Sequence, residues 1–282
     1  MICLAIPLVP LVIDFPQIDP VAFSVGPVSI RWYGLAYMAG LLIGWLYVRH
    51  MLDEEQLWKG PPPMLPDEAD SLLLWMTFGV VVGGRLGAFL FYEPETLISD
   101  PLELFRTWHG GMAFHGGLLG SGLAMAIFAR RHGVGLLSTF DLASAAVPIG
   151  LFFGRIANFI NAELWGRPSD VPWAMVFPGA GPAPRHPSQL YEAALEGLVL
   201  FAVIRVMTHS LAKLRQPGYV TGVFLIGYGL ARSFAELFRE NDPNAYFDLY
   251  PLTSGMAYSL PMVLIGVLFV LHARRGLDVR SV

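Results

Sequence analysis

Arg85, Arg155 and Arg232 lie inside long apolar runs of this sequence, and His115, Glu163, Glu236 and Arg239 lie within or beside such runs. An ionisable residue in a membrane-spanning helix costs roughly 3 kcal/mol on insertion scales, so each one calls for a reason. Arginine presents a planar fork of donors that matches phosphate, and it stays charged in apolar surroundings. Histidine accepts a proton near neutral pH. Together with Tyr33, Asn158, Asn161 and Tyr228, these groups would suit an anionic, phosphate-bearing ligand such as a phospholipid headgroup. Spacing groups them further. Arg155 and Asn158 are three apart, and Tyr228, Arg232, Glu236 and Arg239 follow i, i+4, i+8 and i+11, so each set shares one helix face. Plainer explanations exist for each. Arg85, beside Gly83 and Gly84, could pair with a carboxylate between helices, and Glu236 could only neutralise Arg232 or Arg239. Tyr33 and Trp32 could be interfacial aromatics, and His115 could be a buried histidine bonded to a carbonyl.

Seven apolar runs must position these side chains: 29–48, 71–92, 112–130, 140–161, 189–207, 219–238 and 254–273. Each is about the length a helix needs to cross a bilayer, roughly 20 residues. Of the 282 residues, 55% are hydrophobic and 14% charged, against about 25% charged in a soluble domain. The expected fold is therefore all-α and polytopic, with about seven transmembrane helices in a single membrane domain, 1–282. Glu192 and Glu196 lie on the fifth run. Gly79, Gly83, Gly84 and Gly87 in the second read first as helix packing, because small residues let membrane helices approach closely. Ser121, between Gly120 and Gly122, superficially suggests a membrane serine protease, but serine in a glycine-rich helix is usually packing.

The connection 59–67 is a loop, with Gly60, three prolines from Pro61 to Pro63, and Pro66. Segment 162–188 carries Pro168, Pro172, Pro178, Pro182, Pro184 and Pro187; it cannot span and is expected to form a small extramembrane head. Residues 1–28 are expected to form an arm leading into the first helix. Within it, Met1–Ile13 has no positive region and is broken by Pro7 and Pro10, which makes a poor signal peptide. Cys3 is the single cysteine, so neither an intramolecular disulfide nor a thiolate metal site can form. There is no zinc signature and no carboxylate cluster for magnesium, so neither metal nor cofactor is expected. A basic stripe interleaved with aromatics is also lacking, which argues against nucleic acid as a partner.

Orientation follows from Lys and Arg in the connections. One side holds Arg49, Lys59, Arg130, Arg131, Arg205, Lys213, Arg215, Arg274, Arg275 and Arg280; the other holds Arg31, Arg106, Arg167, Arg185 and Arg239. Ten against five puts the tail in the cytoplasm and, with seven spans, the N-terminus outside. The candidate groups then fall near the outer ends of their helices at similar depth.

Taken in order, these residues resemble the prolipoprotein diacylglyceryl transferase family over nearly the whole chain. The resemblance runs through Arg31-Trp32-Tyr33-Gly34-Leu35, then Gly83-Gly84-Arg85 with Phe91-Tyr92, and Gly110-Gly111-Met112-Ala113-Phe114-His115-Gly116-Gly117. Its most specific part is Gly154–Arg167, with Arg155, Asn158, Asn161, Glu163 and Gly166; Pro184–Glu192 and Gly227-Tyr228-Gly229 with Arg232 and Glu236 follow. His109 stands where an acidic residue is expected, and the segment between Gly166 and Arg185 looks shorter than in some members. The resemblance implies a multi-pass protein of the bacterial inner membrane with a periplasmic head and a site toward the periplasm. It implies transfer of diacylglyceryl from phosphatidylglycerol to the lipobox cysteine of a preprolipoprotein, forming a thioether and releasing glycerol phosphate. It further implies that Arg155 contacts the phosphatidylglycerol, with Tyr33, His115, Asn158, Glu163, Gly166, Arg232, Glu236 and Arg239 lining the site.

Such a displacement needs a deprotonated thiol, a stabilised leaving phosphate and two aligned substrates. His115, or a neighbouring arginine that lowers the thiol pKa, would serve the first need. Arg155 and Arg232 would serve the second, and Tyr33, Asn158 and Glu163 would orient the headgroup. A transporter or flippase for an anionic lipid would explain intramembrane arginines equally well. Transporters often carry internal repeats, and this sequence shows none.

Overall fold

The structure, a computed structural model, describes residues 13–106, 109–240, 248–249 and 252–276. Cys3, residues 1–12 of the arm, Arg280 and most of the connection before the last run lie outside the described residues. Helix α1 covers Trp32–Asp53 and α2 Pro66–Phe91; α3, Pro94–Ser99, and the 3-10 turn Pro101–Phe105 follow. Next come α4, Phe114–His132, and α5, Leu136–Ile160. Residues 188–210 run continuously through α6, Ser188–Glu192, a π-helical stretch Ala193–Val199, α7, Leu200–Arg205, and a second π stretch Val206–Ser210. Helices α8, Tyr219–Ala235, and α9, Ser254–Arg274, complete the helical set. All seven apolar runs are therefore helical.

Four of these helices, α1, α2, α5 and α9, are long and apolar enough to cross a membrane. The other three runs are diluted by the residues that matter most. Helix α4 carries His115 and four glycines, 188–210 carries Glu192 and Glu196, and the 17-residue α8 carries Arg232. Helix α2 starts well before its apolar run. Pro66 occupies its first turn, and Glu68 closes a reciprocal cap, its carboxylate accepting from Leu65 N at 2.8 Å while its own N–H donates to Leu65 O at 2.9 Å.

The chain is mostly helical, and six short strands accompany the helices among the described residues. Strand β1, Ile13–Asp14, pairs in parallel with β4, Met175–Val176; β2, Val21–Val25, forms a hairpin with β3, Val28–Arg31; β5, Asp248–Leu249, pairs with β6, Leu252–Thr253. They lie in the arm and the connections, where backbone groups outside helices still need partners, and β3 takes residues 29–31 of the expected first run, so that α1 begins only at Trp32. In the head, Phe15 packs on Phe159 and Phe177, with centroids 5.2 Å apart in both pairs, and Trp165 lies 6.3 Å from Phe177.

The chain divides into two compact units: residues 1–44, 146–206 and 222–270, and residues 45–145, 207–221 and 271–282. In the first unit, a Cβ at Gly40 would stand 3.0 Å from Gly150 Cα, and one at Gly197 would stand 2.7 Å from Phe152 Cβ. In the second unit, α2 and α4 meet through Gly79, Gly83 and Gly87 against Gly116 and Gly120. A methyl group at Gly83 would strike Gly116 O, and one at Gly120 would strike Gly79 O. Asp141, buried in the second unit, accepts from the N–H of Gly218, the N–H of Thr221 and the Thr221 hydroxyl, each at 2.7 Å. It thereby caps the start of α8 with a carboxylate from α5.

Candidate functional site

The first unit gathers three arginines around three glutamates. Glu192 and Glu196 sit one turn apart in the 188–210 stretch and are fully buried. Glu192 Oε1 accepts from Arg232 Nη1 at 2.5 Å and from Arg239 Nη1 at 3.1 Å, and its Oε2 lies 3.1 Å from Arg155 Nη1. Arg155 also donates to Glu196 Oε2 from Nη2 at 3.1 Å and Nε at 3.3 Å. Arg232 Nη2 reaches Glu236 Oε2 at 2.7 Å. The i, i+4 step from Arg232 to Glu236 and the turn beyond α8 that carries Arg239 set these groups on one side, as their spacing predicts. Gly255 leaves room for the Glu236 carboxylate, which a Cβ there would strike. Three positive and three negative charges leave the group balanced, the condition on which buried ions persist. Tyr228 lies within electrostatic reach of Glu196, Arg155 and Arg232, and Tyr33 within reach of Glu163 and Arg155. The hydroxyls of Tyr33 and Tyr37 are 3.2 Å apart.

At the end of α5 the chain turns sharply. Asn158 Nδ2 donates to Glu163 Oε1 at 2.7 Å, and Glu163 N donates back to Asn158 O at 3.0 Å. Asn161 occupies the final turn, its N–H on Ala157 O. Gly166 donates its N–H to His186 O at 2.9 Å, and a Cβ there would strike Phe238 O. Backbone and side chain then tie the head to the turn after α8: Arg167 N donates to Phe238 O at 2.9 Å, and Arg167 Nε to Arg239 O at 2.6 Å. Arg185 Nη1 reaches Glu240 Oε2 at 2.5 Å. His186 Nδ1 meets Tyr191 OH at 3.0 Å; burial pushes this histidine below its usual pKa. Tyr33, Arg155, Asn158, Asn161, Glu163, Gly166, Tyr228, Arg232, Glu236 and Arg239 thus belong to one unit.

Arg85 and His115 belong to the other unit. Arg85 is buried and donates to the carbonyls of Leu104 at 3.1 Å, Glu103 at 2.5 Å, Arg106 at 2.9 Å and Gly111 at 3.1 Å, and also to that of Gly110. The Glu103 carboxylate stands 3.8 Å away. Hydrogen bonds from Arg106 and His109 hold that carboxyl below the usual range. His109, the departure noted in the sequence, is thus the neighbour of an acid three residues before Arg106, at 2.6 Å. His115 is exposed on the first turn of α4, its ring edge-on to Phe114 at 5.6 Å.

Glu192 and Glu196 were legible as buried acids on the fifth run but not as the centre of the cluster. Ser188 and Gln189, both fully buried, had no signal beyond their place in the Pro184–Glu192 motif. Four-residue spacing between the two acids was the clue: it puts both on one helix face, and buried arginines had to find partners.

A family model described as prolipoprotein diacylglyceryl transferase matches residues 20–272. Proteins named phosphatidylglycerol–prolipoprotein diacylglyceryl transferase are similar along nearly the full length. The one from Nitrobacter winogradskyi is 54% identical over 265 residues, covering 93% of this chain and 91% of its own. That from Rhizobium leguminosarum bv. trifolii is 52% identical over 267 residues, covering 94% and 95%, and that from Sinorhizobium medicae is 53% identical over 265 residues, covering 93% and 95%.

Proposed function

The chain belongs to the prolipoprotein diacylglyceryl transferase family, and on that premise we propose that it moves the diacylglyceryl group of phosphatidylglycerol to the lipobox cysteine of a preprolipoprotein. The thiolate attacks the glyceryl carbon, the carbon–oxygen bond to phosphate breaks, and a thioether and glycerol phosphate result. The carrying observation is the set of three guanidinium groups around Glu192. The glutamates hold these forks in place, so a phosphate that exchanges for a carboxylate on Arg155 or Arg232 meets oriented donors as charge develops on the leaving oxygen. An apolar groove of about 510 Å³ runs along the same helices, lined by Leu195, Val199, Leu200, Val203, Ile226 and Leu230. It suits an acyl chain attached to that headgroup.

Tyr33, Asn158, Asn161, Glu163, Gly166, Tyr228, Glu236 and Arg239 orient the headgroup in this reading. His115 takes the thiol proton. Arg85, with its donors on carbonyls, serves substrate binding through residues 103–106 and 110–111, which it holds. All seven long helices span the bacterial inner membrane as one domain, the N-terminus and the 162–188 head face the periplasm, and the basic tail is cytoplasmic. The relatives bear the transferase name and lend the transporter reading no support.

Purified protein, phosphatidylglycerol vesicles and a lipobox peptide test this directly. Mass spectrometry should show the peptide gaining one diacylglyceryl group, with equal glycerol phosphate released. The adduct should resist hydroxylamine, which cleaves thioesters but not thioethers. A cysteine-to-serine peptide should stay unmodified, because serine is a poor nucleophile without a strong base. A hydroxylamine-labile adduct would mean acyl transfer, and no adduct would sink the reading.

A further inference from the structure

Two non-glycine residues on either side of Glu163 sit in the left-handed region, Ala162 at φ 53° and Leu164 at φ 57°. Alanine and leucine disfavour that conformation, because Cβ crowds the following carbonyl. The first has a recognisable origin. Ala162 N donates to Phe159 O at 2.9 Å and Glu163 N to Asn158 O at 3.0 Å, the paired bonds of a Schellman helix end, with alanine where glycine is usual. The second has no such local support. Its neighbourhood is held from outside by the start of α6: Gln189 Nε2 donates to Glu163 O at 2.6 Å, and Ser188 Oγ donates to Leu164 O at 3.0 Å. Both donors are fully buried, whereas the Leu164 side chain is 43% exposed. Packing of the partly exposed leucine fixes the turn less firmly than two buried donors can. What the turn sets is the direction of the Glu163 carboxylate, which meets Asn158 Nδ2 at 2.7 Å.

We propose that Gln189 and Ser188 are positioning residues of the transferase, which hold the strained Ala162–Leu164 turn so that Glu163 stays aimed at its substrate. This rests on the reading of Glu163 as a headgroup-orienting residue. Strain over-determined by surrounding bonds is typical of sites whose geometry must be set before the ligand arrives. The two donors do not touch the substrate in this account; they act through the backbone of Glu163 and Leu164.

Relief of strain gives the test. Gln189→Ala should lower kcat for diacylglyceryl transfer about tenfold, the effect of one buried hydrogen bond, with KM for the lipobox peptide unchanged. Leu164→Gly alone should stay within about twofold of the parent, since glycine adopts the left-handed region freely. Added to Gln189→Ala, Leu164→Gly should restore about threefold or more, because the turn then needs less holding. A merely structural role for Gln189 predicts no such rescue. Should Gln189→Ala fail to accumulate, Leu164→Val keeps the inference exposed: a β-branched residue resists positive φ, so with Gln189 intact kcat should fall although no buried contact is lost. Glu163→Gln separates the two levels. If it is inactive while Gln189→Ala is silent, or while glycine gives no rescue, the positioning inference is wrong and the functional reading stands. If Glu163→Gln keeps full activity, the headgroup-orienting role of Glu163 and the positioning inference fall together, while the transfer reaction stands.

Discussion

Arg155 and Arg85 look alike in the sequence, each an arginine inside an apolar helix, yet the structure holds them by different acceptors. Arg155 gives its donors to the carboxylates of Glu192 and Glu196. Arg85 gives its donors mainly to the backbone carbonyls of Glu103, Leu104, Arg106, Gly110 and Gly111. The difference decides what each can do. A phosphate can take the place of a carboxylate on a guanidinium, since each offers a pair of negatively charged oxygens to the planar donor fork. A phosphate arriving at Arg85 would instead orphan several carbonyls at once, each at the cost of an unmade buried hydrogen bond. One arginine is poised for exchange; the other is a clamp.

The largest effect should come from breaking the balanced side. Glu192→Gln removes the charge shared by Arg155, Arg232 and Arg239 and leaves buried positive charge uncompensated. A loss of about 3–5 kcal/mol is expected, seen as a lowered melting temperature in detergent together with lost transfer activity. Unchanged melting would mean that Glu192 does not neutralise the group.

Arg155→Lys keeps the charge and removes the fork. Activity should fall roughly a hundredfold, the scale of losing one oriented donor at a developing oxyanion, with membrane insertion unchanged. Arg130→Lys, at the end of α4, should be nearly silent. Full activity of Arg155→Lys would show that the phosphate meets only a point charge there.

Arg85→Lys should act on stability more than on chemistry. Lysine has three donors against five, so some of the carbonyls that Arg85 now binds are left unpaired at about 1–3 kcal/mol each. Amide exchange in residues 100–106 should quicken, while activity falls less than for Arg155→Lys. The reverse order of activities would place Arg85 on the substrate.

For His115, a base role predicts that His115→Gln slows transfer more at about pH 6.5 than at about pH 9, where more of a thiol with reference pKa near 8.5 is already ionised. Equal losses at both, with chemistry rate-limiting, would assign it to positioning. The smallest effect concerns Glu103, whose carboxyl is held low by Arg106 and His109. A depressed pKa contributes stability above the unfolded value that is lost as pH falls through the folded one. Acid should therefore loosen 100–106 in the parent, and Glu103→Gln should flatten that response.

The seven helices and the glycine face of α2 were legible in the sequence because hydrophobic length and small-residue spacing are local properties. So was the shared side of Tyr228, Arg232 and Glu236, since the i, i+4 step sets it; Arg239 lies beyond the end of α8, where the tertiary fold brings it to Glu192. Partner choice was not legible. Sequence spacing says that Arg85 and Arg155 are each out of place, but whether a carboxylate or a carbonyl meets a guanidinium depends on which distant segment folds against it. The turn at Glu163 was hidden for the same reason. Ala162 and Leu164 carry no left-handed preference of their own; the helix end supports Ala162 locally, but the bonds on the Glu163 and Leu164 carbonyls come from Gln189 and Ser188, more than twenty residues away. Helix identity is written in a few consecutive residues; the direction in which a buried charge points is settled by groups that meet only once the chain has folded.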